Sequence, residues 1–271
     1  MSKLAPQRRT PWDRSSSVEK ACLVLRCFTP SKSKWRLSEL SRHLKFPKSG
    51  VFRIVRTLDS QGFLRHEDNS NEYELGFRIF ELTGMLFGET KWLSEKADPY
   101  LQQINERCGF LASLATMEHD EVVVLGRVEA THPLKVAYPV GTHLACNNGA
   151  SGKLLLAYNY SKEEIRELLR AGKIKKLTEK TKLDLNSLQA EFRKIQRMGY
   201  AENDGESVPG TVGLAAPVHS AEGHVVAALS ITAPESLCSL KKLRAFIPIL
   251  TSAAARLSRD LGSRKTASFG Y

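Results

Sequence analysis

The side chains best suited to grip a partner are concentrated in residues 47–64, PKSGVFRIVRTLDSQGFL. Val51, Ile54, Val55 and Leu58 recur at i, i+3, i+4 and i+7, which makes one apolar stripe on a helix and leaves Lys48, Ser49, Phe52, Arg53 and Arg56 off it. The chemistry of that exposed set is non-covalent. Guanidinium and ammonium groups hold phosphates, and polar side chains near the start of a helix can reach base edges in a major groove. Ser49, Phe52 and Arg53 are expected to face bases, while Lys48, Arg56 and the nearby Arg65 are expected to meet phosphates. An ordinary amphipathic surface helix would show the same stripe, so the neighbouring elements have to decide.

A second set of polar groups lies near the other end of the chain. In residues 225–232 the even positions Val226, Ala228, Ser230 and Thr232 share one face of a strand, and two hydroxyls there call for polar neighbours, either backbone or a ligand. Catalytic signatures are missing. The chain has no G-x-S-x-G, no H-E-x-x-H and no Walker A pattern, and the 7 histidines form no local constellation. The glycines between Asp204 and Gly213 lack phosphate-loop spacing and read as a turn. Glu163 and Glu164 open a helix, where complementarity with the helix dipole accounts for them. No enzymatic activity, cofactor or metal is expected.

Charge separates the chain into two parts. Residues 1–66 hold 15 Lys and Arg against 4 Asp and Glu, whereas residues 67–271 hold 25 of each, so the net charge of +11 belongs to the first quarter. A basic module facing a polyanion and a neutral module with another task fit that asymmetry. The 5 cysteines, Cys22, Cys27, Cys108, Cys146 and Cys238, have no C-x-x-C or metal-ligand spacing and read as free thiols of a reducing compartment. With no long apolar run and no signal-peptide pattern, a cytoplasmic protein without a membrane span is expected.

The elements that position these groups follow in order. Residues 1–14 read as a mobile basic tail. One of Ser15, Ser16 or Ser17 caps a first helix carrying Val18, Ala21, Cys22, Leu25 and Phe28. LSELSRHL, with Leu37, Leu40 and Leu44, forms a second helix. A turn at Lys45–Pro47 leads into the basic third helix, which ends at Gly62. Residues 63–66 and 72–75 are alternating segments around a run of turn formers and read as a hairpin. Three helices followed by a hairpin make a winged helix-turn-helix, spanning 15–76. Residues 77–96 form a linker. Within residues 77–93, Phe77, Phe80, Leu82, Met85, Leu86, Phe87, Trp92 and Leu93 leave more apolar surface than one small domain can cover, which points to a second copy of the chain.

Residues 97–262 read as an α+β domain. It contains a helix near Asp98, strands at 110–117, 122–128, 134–138, 214–218 and 225–232, a capping box at Ser161–Glu164, and helices at 163–171, 185–198 and 239–261. Residues 263–271 form a tail.

Specific short runs punctuate this domain: GTHLA at 141–145, GASGK at 149–153, GYAEN at 199–203, Gly210, AAPV at 215–218 and ALSIT at 228–232. With the winged helix before them, these runs make residues 15–262 resemble the IclR family of bacterial transcription regulators. The resemblance implies a fold of class α+β with an N-terminal winged helix-turn-helix, a linker helix, and a C-terminal GAF-like antiparallel sheet with flanking helices. It implies double-stranded operator DNA and a small-molecule effector as partners, and homodimers that pair into tetramers on DNA.

By the same resemblance, Ala150, Ser151, Asn203, Gly213, Ser230 and Thr232 line the effector pocket, with Val136 and Leu144 as its apolar wall. Asn203 stands where some relatives have an acid, and Gly213 where some have a larger side chain, so the ligand is not transferable from them. Gly50 also departs from the family pattern, which has Ser-Thr where this chain has Ser49 and Gly50; the glycine weakens the helix start by up to about 1 kcal/mol. No arginine belongs to the pocket set, which leaves the helix amides near Ala150–Gly152 to hold an anion. A small organic acid or aromatic carboxylate from a degradative pathway is the expected effector of a repressor. A ligand-independent architectural DNA-binding protein, and an enzyme with a regulatory DNA-binding head, are the other classes open at this point.

Overall fold

The computed structural model describes residues 16–29, 31–67, 70–86, 89–134 and 138–263, in two compact units, Met1–Gly88 and Glu89–Tyr271. Both tails, part of the hairpin tip and Val136 therefore lie outside the described residues, as do Phe87 and the side chains of Met85 and Leu86.

In the first unit, helix α1 (Ser17–Leu25) starts at a complete capping box in which Ser16 Oγ accepts the Glu19 amide and the Glu19 carboxylate accepts the Ser16 amide. Strand β1 (Trp35–Arg36) runs into α2 (Leu37–Leu44), and Lys45 then adopts φ 56° to turn the chain. Ser41 Oγ donates to the Phe46 carbonyl at 2.7 Å across that turn, fixing the approach to α3 (Lys48–Ser60). Gly62, at φ 75°, ends the helix. Val24, Leu40, Val51, Val55, Leu58 and Leu64 form the buried core of the three helices. The indole of Trp35 closes one side by donating to the Cys27 carbonyl at 2.9 Å. Strands β2 (Leu64–Glu67) and β3 (Glu72–Leu75) pair antiparallel, and β1 adds to β3, giving the sheet order β1-β3-β2. Helix α4 (Phe77–Leu86) follows.

The second unit begins with α5 (Glu89–Cys108) and is built on a six-stranded antiparallel sheet in the order β6-β5-β4-β9-β8-β7. Its strands are β4 (Leu111–Glu118), β5 (Glu121–Val128), β6 (His143–Ala145), β7 (Ala201–Asp204), β8 (Thr211–His219) and β9 (Val225–Pro234). Helices α6 (Gly149–Asn159), α7 (Lys162–Arg170) and α8 (Leu185–Met198) come between β6 and β7, and α9 (Leu240–Leu243) and α10 (Ile247–Asp260) close the chain. Each face of the sheet has its own core. Ala227, Leu229 and Ile231 of β9 pack with α5 and α10 residues such as Leu101, Ile104, Leu250 and Leu257. On the opposite face, Ala228 and Ala215 pack with Leu154, Leu155 and Phe192 of α6 and α8. Past Ala228 that second face stops being apolar, and Ser230 and Thr232 appear on it.

Several expectations are corrected. Trp35–Arg36, His143–Ala145 and Ala201–Asp204 are strands too short for a period of two to be recognised. Leu134 and Tyr138, expected in a strand, belong to none, and residues 135–137 are not described. The helix expected near Asp98 starts at Glu89 and carries Pro99 inside it. The single helix expected over 239–261 is interrupted by a 3₁₀ turn at Arg244–Phe246, because Pro248 lacks the amide a helix interior needs and sits instead in the first turn of α10. The apolar linker is described as parts of α4 and α5, one in each unit. The capping box at Ser161 is present and opens α7.

Candidate nucleic-acid interface and ligand pocket

Helix α3 buries Val51, Val55 and Leu58 and turns Lys48, Ser49, Phe52, Arg53 and Arg56 outward. Phe52 keeps 43 % of its surface exposed, an uncommon position for a phenylalanine. Pro47 precedes the helix without a side-chain cap, so the amides of Lys48 and Ser49 stay available to an anion, while that of Gly50 is bonded to the Pro47 carbonyl at 3.0 Å. Among the described residues, Lys48, Arg53 and Arg56 enter no ion pair.

Arg65 differs from these. On β2 it faces Glu74 of β3, to which its Nε donates at 2.7 Å and its terminal nitrogen donates as well. Lys34 is bound to Glu67 at 2.7 Å and Arg36 to Glu72 at 3.4 Å in the same small sheet. The cations of the sheet are thus largely matched by its own carboxylates, whereas Lys48, Arg53 and Arg56 of α3 are not. A phosphate role for Arg65 requires Glu74 to let it go, which the sequence did not reveal because the pairing depends on hairpin register.

In the second unit, the expected pocket residues Leu144, Ala150, Ser151, Asn203, Gly213, Ser230 and Thr232 border one small, partly open cavity. Val136 lies outside the described residues. Val122, Val124 and Ala115 complete the apolar wall, and Ser113, Tyr138, Asn148 and Ser207, which sequence reasoning missed, add polar groups. The signal for Ser113 was a lone hydroxyl in the apolar run LASLA; its value is apparent only once β4 is set beside β9, where Ser113 pairs with Ser230.

Ser113 and Ser230 hydroxyls lie 2.8 Å apart on the pocket floor, so each is partly satisfied by the other. The hydroxyls of Ser151 and Thr232 make no hydrogen bond to the protein among the described residues. Gly213 opposes Thr232, and a side chain there would stand 3.7 Å from the threonine hydroxyl, so glycine leaves that hydroxyl open to the cavity. Asn203 is committed to structure. Its side-chain oxygen accepts the Glu206 amide at 3.2 Å and its nitrogen donates to the Thr211 carbonyl at 3.4 Å, which fixes the 205–210 loop and leaves little for a ligand. Burial pushes the Tyr138 phenol above its ordinary pKa, and the Asn148 side chain offsets part of that rise.

The start of α6 faces the same space. Asn148 makes no side-chain cap, so the amides of Gly149, Ala150 and Ser151 have no intrahelical partner. The Gly152 amide, which the sequence reading included, is already bonded to the Asn148 carbonyl at 3.0 Å. Gly152 is there for close packing instead, since a Cβ would stand 2.5 Å from the Cys146 carbonyl oxygen. One turn further on, Lys153 is buried against Glu191, at 2.6 Å, and Glu206, tying α8 and the 205–210 loop to α6.

Among the described residues there is no cluster able to hold a metal ion, and no helix is long and apolar enough to cross a membrane. Two family models match: "Bacterial transcriptional regulator IclR C-terminal" over residues 90–259 and "IclR helix-turn-helix domain" over residues 17–68. The HTH-type transcriptional regulator KdgR of Escherichia coli (strain K12) is 26 % identical over 250 residues, covering 92 % of this chain and 94 % of that protein. The HTH-type transcriptional repressor AllR of Escherichia coli (strain K12) is 23 % identical over 248 residues, covering 92 % of this chain and 91 % of that one. Among solved structures, an IclR homolog from Microbacterium hydrocarbonoxydans complexed with 4-hydroxybenzoate superposes with a TM-score of 0.78 at 26 % identity, covering 91 % of this chain and 99 % of that chain. With a winged helix-turn-helix whose third helix presents uncompensated cations, and with both family models matched in order, the chain belongs to the IclR family of DNA-binding transcriptional regulators.

Proposed function

We propose that the protein represses a catabolic operon and that a small organic acid or aromatic carboxylate, bound in the pocket of the second unit, sets its hold on the operator. The observation that carries this reading is the convergence of unpaired amides at Gly149–Ser151 and free hydroxyls of Ser151 and Thr232 on one cavity walled by Val122, Val124 and Leu144. A positive helix end favours a carboxylate, hydroxyls complete its hydrogen bonds, and the valines and leucine cover an apolar body. The relative with bound 4-hydroxybenzoate and the relative named as a repressor support the same reading.

Residues 15–76 carry the DNA contacts, 77–96 the linker and dimer contact, and 97–262 the effector site. The working unit is a homodimer on a pseudo-palindromic operator, pairing to a tetramer, in the cytoplasm and without catalysis. Effector binding must favour one DNA-binding arrangement over another, and a coupling of about 1–3 kcal/mol suffices for a useful switch.

The test is to select bound fragments from genomic DNA with the full-length protein, then titrate 4-hydroxybenzoate and related carboxylates into the selected complex. Sequence-selective binding released by a carboxylate that is recovered unchanged is the expected result. Binding without sequence preference would make the protein architectural, and consumption of the carboxylate would make it an enzyme.

A further inference from the structure

Arg127 was not among the pocket residues expected from sequence, yet the sheet register puts it on the pocket face. It pairs directly with Ser113, which itself pairs with Ser230. Cross-strand partners share a face, so Arg127, Ser113 and Ser230 form one row across β5, β4 and β9. The residues on either side confirm the direction: a side chain at Gly126 would meet Ser94 and Leu101 of α5, and Val128 packs in the core on that same opposite face.

The guanidinium is incompletely satisfied. One terminal nitrogen, Nη2, donates to Glu129 Oε1 at 2.6 Å, whereas Nη1 is buried and has no hydrogen-bond partner among the described residues. A buried donor without a partner is rare in folded proteins and marks a place where water, an ion or a ligand completes the structure. Among the described residues no charged side chain lines the cavity itself, and Arg127 is the cation among them nearest in register to its hydroxyl floor.

We infer that Arg127 is a specificity-determining residue of the pocket: Nη1 takes an oxygen of the effector's carboxylate beside the Ser113–Ser230 pair, and Glu129 holds the guanidinium in place and limits its affinity. This rests on the reading of the cavity as an anion site and adds the group that tells a carboxylate from a neutral isostere. Guanidinium geometry suits two-point contact with a planar carboxylate, which lysine does not reproduce.

The experiment uses full-length protein and calorimetric titration with acetate, benzoate and 4-hydroxybenzoate, each beside its neutral amide. The wild type should bind one or more carboxylates at least tenfold tighter than the matching amide. Arg127→Gln should erase that preference, Arg127→Lys should restore only part of it, and Glu129→Gln should tighten carboxylate binding. If Arg127→Gln keeps the preference while Ser230→Ala weakens binding, the pocket stands and the role of Arg127 is overturned. If no carboxylate binds the wild type, both readings fall. Melting of the ligand-free protein guards against a folding artefact: Arg127→Gln should melt at or above the wild-type temperature, and a clear drop would make the side chain structural and overturn the inference.

Discussion

Lys153 Nζ stands 2.6 Å from Glu191 Oε1 while the lysine is only 7 % exposed, and Glu206 approaches the same ammonium from the 205–210 loop. Lys182 completes the cluster, 2.9 Å from the other oxygen of Glu191. One buried cation therefore joins α6, whose first turn borders the cavity, to the loop that carries Ser207, another residue of the cavity lining.

Lys153→Met should destabilise the second unit strongly, because it leaves Glu206 without its buried counter-ion and Glu191 with Lys182 alone; breaking such a pair costs about 3–5 kcal/mol. Glu191→Gln should cost less, since Lys153 retains Glu206. Urea denaturation followed through the second unit checks both, and a Lys153→Met variant as stable as the wild type would show that the cluster contributes nothing.

The same cluster gives an acid dependence. Burial pushes the Glu191 carboxyl up, but Lys153 and Lys182 together hold it below its ordinary range. A carboxyl with a lower pKa folded than unfolded binds fewer protons in the folded state, so its contribution is complete above the unfolded value of about 4.3 and is lost as pH falls through the folded one. The stability gap between wild type and Glu191→Gln should therefore be widest at neutral pH and shrink below about pH 4.3. A gap that widens in acid would assign the effect to another group.

What the sequence disclosed was local, and what it concealed depended on pairing. α2 was readable to the residue because LSELSRHL has a clean stripe, and α7, expected over 163–171, to within one residue at each end because Ser161 and Glu164 cap it. Ser230 and Thr232 were visible as hydroxyls on one strand face. Arg127 was not, for a definite reason: Val122 and Val124 face the pocket, so a period of two continues to Gly126 and Val128. A β-bulge at Leu114/Ala115, where β5 carries an extra residue, shifts the phase and brings Arg127 to that face instead. The ion pair of Arg65 with Glu74 was hidden in the same way, by hairpin register.

On DNA, Arg53→Ala should lose about 1–3 kcal/mol and relax sequence preference, whereas Lys48→Ala should weaken all sequences alike and flatten the salt dependence. Arg65→Ala should matter less than either, since Glu74 already holds its guanidinium. Glu74→Gln should then tighten binding to any duplex by releasing that cation. Fluorescence anisotropy on selected and scrambled DNA measures all of these, and equal losses for Arg53→Ala and Lys48→Ala on both would remove the division between base and phosphate contacts.

Self-association should depend on the apolar residues of 77–93. Leu82 of α4 is 44 % exposed and Trp92 of α5 is 47 % exposed, a cost that contact with a second copy relieves. Sedimentation should find at least a dimer at micromolar concentration, and Leu82→Glu should shift it toward monomer. A wild type that sediments as a monomer would refute the dimer contact.

The pocket hydroxyls should separate by what they do in the empty site. The Thr232 hydroxyl bonds to nothing in the protein among the described residues, so Thr232→Val keeps the shape and removes only a bond that a ligand would make. Ser230 shares a 2.8 Å hydrogen bond with Ser113, so Ser230→Ala also leaves a buried hydroxyl short of a partner. Hydrogen bonds to a charged group are worth about 1.5–3 kcal/mol and neutral ones about 1 kcal/mol. Thr232→Val should thus weaken carboxylate binding by about tenfold or more with an unchanged melting temperature. Ser230→Ala should weaken binding and also lower the stability of the ligand-free protein by about 1 kcal/mol. Calorimetry paired with thermal melting reads both quantities. If Thr232→Val binds every carboxylate as the wild type does, the free hydroxyl is not a ligand contact and the effector sits elsewhere in the cavity.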